Sequence, residues 1–123
     1  MIKTILIILP KSIAGCLILK GLSLALNEIG FNVVVVNIDD INNDIIKTYS
    51  IQIVLGYDYS YLMDDNVHNI LSQFKNLIFI HYFADIPTSQ LALGDNDIEL
   101  YNILKTKKNT IIYIWDENYL NLF

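Results

Sequence analysis

The spacing of hydrophobic and polar positions changes several times along this chain, and each change marks an element. Residues 5–9 form an unbroken apolar run stopped by Pro10, the pattern of a strand buried on both faces. From 14 to 29 the apolar residues return at helical spacing: Leu17, Leu19, Leu22, Ala25, Leu26 and Ile29. Gly30 then supplies a left-handed stop. Residues 33–36 are a run of valines and predict a second strand. Asp39 or Asp40 is placed to cap a short helix through about Thr48, with Ile41, Ile45 and Ile46 inward. Residues 51–55 predict a third strand with Gly56 at its end. Residues 62–74 predict a helix with Val67, Ile70, Leu71 and Phe74 on one face. Residues 77–80, extending toward Tyr82, predict a fourth strand. A longer connection follows over 84–96, then a helix over 98–104, a fifth strand over 110–115 and a final helical stretch from Asp116.

Strands and helices that alternate in this way predict parallel strands, right-handed crossovers and helices on both faces. The expected fold is α/β, a Rossmann-like or flavodoxin-like three-layer sandwich with a parallel five-stranded sheet. Strand orders 2-1-3-4-5 and 3-2-1-4-5 both fit. The chain has 123 residues, the size of one domain, and contains no internal repeat or linker-like tract. Its last residues include Tyr119, Leu120, Leu122 and Phe123, an apolar set on barely two helical turns. That set suggests either the N-terminal fragment of a longer two-domain protein or a short helix packed on the sheet edge.

Composition narrows the function classes. Apolar residues make up 54% of the chain and charged residues 17%, which suits strands buried on both faces. The formal charge is −5, and all eight basic residues are lysines. Without arginine, the usual bidentate partner of phosphate and base edges, and with an acidic balance, nucleic acid is not an expected partner. Cys16 is the only cysteine, so neither a disulfide nor a cysteine-rich metal site can form within the chain. A cytoplasmic location is the expectation. Lys3, the apolar run after it and Ile13-Ala14-Gly15-Cys16 superficially read as a lipoprotein signal. Pro10 and Lys11 cut that run short, however, and the residues after Cys16 stay apolar at helical spacing. No run approaches the length of a membrane span.

In open parallel sheets ligands bind outside the carboxyl ends of the strands. Those ends carry Lys11, Ser12 and Gly15 after strand one and Asn37, Asp39 and Asp40 after strand two. Asp58 and Tyr59 follow strand three, and His81 and Asp85 follow strand four. The first turn lacks both the dinucleotide fingerprint and a P-loop, so no cofactor is expected. Asp39 stands where a ribose-binding acid would, and helix capping explains it equally well. Lys11 and Ser12 could meet an anion at the helix start; a solvated lysine and an N-cap serine are the plainer reading. Asp58 lies near the phospho-acceptor position of receiver domains. Pro10-Lys11 and Asp116 replace the acids and the lysine that receiver chemistry needs, so an active receiver is excluded and no metal is expected. His81 and Asp85 could form a general-base pair. Asp58 with Tyr57, Tyr59 and Tyr61 could line a sugar-binding face. His68 reads as a surface residue and Trp115 as core.

Several segments resemble one family. Residues 5–10, 15–30 and 31–36 look like the opening of the N-terminal domain of GT-B glycosyltransferases, and Ile51-Gln-Ile-Val-Leu-Gly-Tyr-Asp resembles their third strand. The run Phe79-Ile-His-Tyr-Phe-Ala-Asp-Ile-Pro resembles the fourth strand and aspartate loop of the CgeB-like members, and residues 111–123 resemble their next strand. The resemblance implies the acceptor-side half of a bacterial transferase that uses a nucleotide-activated sugar. The donor would be held mainly by a C-terminal domain, and this chain alone would not turn over. By position it implies Lys11, Ser12, Gly15, Asp58, Tyr59 and His81 on the acceptor side and Asp85 as catalytic base. The rival reading is a non-catalytic binding or regulatory module of flavodoxin-like or receiver-like shape. An apolar patch left bare on the carboxyl edge would favour a missing partner domain.

Overall fold

A computed structural model describes residues 3–57, 60–83 and 110–114. Strand β1 (Thr4–Leu9) leads through helix α1 (Ile13–Glu28) to β2 (Asn32–Asn37). A 3-10 turn (Ile38–Asp40) and helix α2 (Asn43–Thr48) return the chain to β3 (Ile53–Tyr57). A second 3-10 turn (Ser60–Met63) and helix α3 (Asp65–Leu71) precede β4 (Ile78–Phe83). All pairings are parallel, in the order β2-β1-β3-β4, and Thr110–Ile114 pairs parallel along the outer side of β4. This is the α/β architecture expected, and between the two strand orders it selects the one beginning 2-1-3.

Alternation along β1 explains the layers. Ile5, Ile7 and Leu9 face α1 together with Ile53 and Leu55, and they enclose Leu19. Leu6 and Ile8 point the other way with Val54 and Phe79, into a second core with Ile41, Ile46, Val67, Ile70 and Leu71. Leu6, Ile7 and Ile8 are sealed from solvent, as the central strand of a two-faced sheet must be. β2 lies on the sheet edge, which is why its valines are only half-buried or exposed.

Several boundaries differ from the sequence reading, each for a local reason. The cap of α2 is Asn42, whose side chain accepts from the Ile45 amide at 3.0 Å; Asp39 and Asp40 sit one turn earlier in the 3-10 segment. Asp64 caps α3 through the Val67 amide at 3.1 Å, which splits the helix expected over 62–74 from the turn before it. Gly56 is inside β3 rather than beyond it, and His81 is inside β4. The helix expected over 98–104 and the one from Asp116 lie outside the described residues, as does Trp115.

Helices α1 and α2 end alike. The amides of Gly30 and Phe31 reach the carbonyls of Asn27 and Leu26, with Gly30 at φ 105°. The amides of Ser50 and Ile51 reach Lys47 and Ile46 in the same pattern, with Ser50 at φ 51°. Glycine accepts this conformation freely and serine does not.

Candidate functional site

The strand order places the topological switch between β1 and β3, where a crevice is expected at the carboxyl edge. Among the described residues, the first turn of α1 packs tightly against the strand ends there: a Cβ on Gly15 would stand 2.7 Å from Ser12 Oγ, 2.8 Å from Pro10 Cγ and 3.1 Å from Tyr57 Cδ1. Gly15 is therefore a packing residue, and it is itself buried. Among the described residues, open space lies one strand over. A cavity of about 540 Å³ lies between the ends of β1 and β2, floored by Leu9, Pro10 and Ile38.

The polar wall of this cavity comes from two loops and one helix face. Ser12 caps α1, accepting from the Gly15 amide at 3.2 Å, so its hydroxyl oxygen is already engaged in the fold. Lys11 approaches Asp39 at 3.6 Å with both side chains largely exposed, so this pair adds little to stability and can exchange partners. Asn37 donates to Asp40 at 3.4 Å across the turn after β2. Lys20 and the half-buried thiol of Cys16 project from α1. Two ammonium groups, two carboxylates, a carboxamide and a hydroxyl thus surround one opening. Such a set offers donors and acceptors in near balance, which suits a hydroxyl-rich or mixed-charge ligand better than a purely anionic one.

Toward β3 and β4 the described residues are packed together. His81 is fully buried and stands in register with Gly56 on β3. Its Nδ1 lies 2.9 Å from the hydroxyl of buried Tyr61, a hydrogen bond whose direction the imidazole tautomer sets. The two rings are 5.5 Å apart and inclined at 47°. Gly56 makes this possible, because any Cβ there would run into the Tyr61 ring. A ligand reaches His81 only if this packing opens.

Of the residues singled out from sequence, Lys11 and Ser12 meet at the cavity, joined there by Asp39. Gly15 supports them from beneath and His81 stands apart in its own nest. Tyr57 packs on the α1 side of the sheet and Tyr61 on the opposite side, so the two do not share one aromatic face. His68 is exposed, as expected of a surface residue. Asp58, Tyr59 and Asp85 lie outside the described residues. Sequence reasoning missed Lys20 and Cys16 as cavity residues and missed the partnership of Tyr61 with His81. Lys20 could have been found, since it lies two helical turns beyond the cap; the Tyr61 contact spans 20 residues and leaves no local signal.

Among the described residues no group of three or more His, Cys, Asp or Glu side chains could hold a metal ion. No helix among them is long and apolar enough to cross a membrane. Compared with known protein families, curated proteins and solved structures, the chain matches none. The fold is a parallel α/β domain with an open cavity of mixed apolar and polar lining at its carboxyl edge.

Proposed function

We propose that this chain is the acceptor-side domain of a GT-B-like glycosyltransferase, working in the cytoplasm, with its hydroxyl-rich acceptor held in the cavity between β1 and β2. The observation that carries the reading is the cavity wall, where Lys11, Lys20, Asn37, Asp39 and Asp40 surround one opening. Sugars are recognised by such mixed sets, because each hydroxyl both donates and accepts. The reading takes Thr110–Ile114 as the fifth strand of a Rossmann-like or flavodoxin-like three-layer sandwich. It assigns Asp85 as catalytic base, with Asp58 and Tyr59 toward the acceptor, leaves His81 to its buried pairing with Tyr61, and leaves most of the nucleotide-sugar donor to a second domain. The test is a titration of the chain with sugar acceptors and with UDP-, GDP- and dTDP-sugars. Acceptor binding that is lost in Lys11→Ala or Asp39→Asn, with little donor binding and no turnover, supports the reading. Binding unaffected by both substitutions would refute this assignment of the site.

A second reading, a non-catalytic flavodoxin-like or receiver-like module, is favoured by one observation. The order β2-β1-β3-β4 is that of flavodoxin-like sheets rather than of dinucleotide-binding ones. Tight binding of FMN, or no response to any sugar, would favour it.

A further inference from the structure

Helix α1 is apolar on the wrong side as well as the right one. Leu17 and Leu24 stand 65% and 69% exposed on its outer face, flanked by Ile13 at 79%. Between the leucines lies Gly21, with nothing within 4 Å of where its Cβ would be. A glycine in mid-helix weakens the helix, and internal packing gives no reason for one here. Ala14, also exposed, sits seven residues before it. Ala14, Leu17, Gly21 and Leu24 therefore repeat small and large residues at heptad spacing along the outer face. The end charges are also reversed. Lys11 precedes the N-terminus and Glu28 occupies the last turn, with no acid in the first turn and no base in the last. Both are unfavourable beside the helix's own dipole.

We propose that this face binds a second copy of the chain, α1 against α1, antiparallel about a two-fold axis. In the register that sets Leu17 over the partner's Gly21, Leu24 falls over the partner's Ala14. The same register brings Glu28 beside the partner's Lys11 and N-terminal helix end, and symmetry repeats each contact. One arrangement thus answers the bare leucines, the exposed glycine and the reversed charges. Ile13, Leu17 and Leu24 are each largely exposed on this one face, a contiguous apolar patch of the kind that marks a protein–protein contact. The stripe runs the whole length of α1, so a domain seated across the carboxyl edge would cover only its Ile13 end. Lys20, the only charge between the helix ends, comes near its symmetry mate, and its long stem lets the two ammonium groups part toward water. Lys11, Ile13, Leu17 and Lys20 also line the cavity, so this face borders the site assigned there, while Gly21, Leu24 and Glu28 lie outside it.

The test is sedimentation velocity of the full chain from micromolar to several hundred micromolar. The expected result is a species of twice the chain mass, with a Kd in the micromolar range. Leu17→Glu and Gly21→Leu should each return it to one chain mass while circular dichroism shows the fold intact. Lys11→Glu or Glu28→Lys alone should weaken association about tenfold, and the two together should restore it, a readout that does not depend on a disruptive variant. A chain that stays monomeric throughout, whether because its own residues or a different protein covers the stripe, overturns the proposal. So does a dimer indifferent to these substitutions.

Discussion

The two ends of the carboxyl edge make opposite use of polar residues. At β1 and β2 they stand around an open cavity, weakly paired and mostly exposed. At β3 and β4 a histidine and a tyrosine are sealed together beneath a glycine that leaves room for the ring. Buried polar groups are expensive unless satisfied, so the closed pair is held by the whole core around it. The open groups cost the fold little and are free to meet a ligand. The contrast teaches that the residue type that looks most chemical in the sequence, His81, sits where structure has most claim on it.

Substitutions can break this contrast, and the largest effect is expected at Gly56. Gly56→Ala drives a methyl group into the Tyr61 ring and should cost about 3 kcal/mol in urea unfolding. Its cost combined with Tyr61→Ala should be well below the sum of the two, because the clash needs both partners. Tyr61→Phe keeps the ring and removes the hydroxyl that meets His81 Nδ1. It should cost roughly 1–2 kcal/mol, and additivity with Gly56→Ala would show that packing and hydrogen bond act separately. At the amino end of the sheet, Ser50→Gly relieves a left-handed residue and should raise stability by about 1 kcal/mol, read as a higher unfolding midpoint at unchanged slope. The smallest effect on folding belongs to the open end. Lys11→Ala and Asp39→Asn should each change stability by less than about 0.5 kcal/mol, while each weakens ligand binding at the cavity. A large loss of stability at either would erase the distinction between the two ends.

The framework was legible because it is periodic. The unbroken run at β1, the valines of β2 and the glycine after α1 are local signals, and each marks its element within a residue or two. Boundaries moved where a competing side chain took the cap, as Asn42 and Asp64 did. Half of the cavity wall could be listed from strand ends alone, Lys11, Ser12 and Asp39 among them. The rest comes from a helix face whose apolar spacing reads equally as core. Leu17 and Ile29 belong to the helical pattern yet lie exposed, because one-dimensional spacing shows which residues are apolar and not which of two faces meets the sheet. The pairing of Tyr61 with His81 depends on tertiary contact and is invisible to any local pattern.

The most direct test of the central claim is amide chemical-shift mapping of the full chain against sugar acceptors and nucleotide-sugars. The account predicts saturable shifts at Lys11, Ser12, Lys20, Asn37 and Asp39, none at Gly56, Tyr61 or His81, and at least tenfold weaker binding in Lys11→Ala. Shifts centred on the Tyr61–His81 nest, or no saturable response to any sugar, would contradict it.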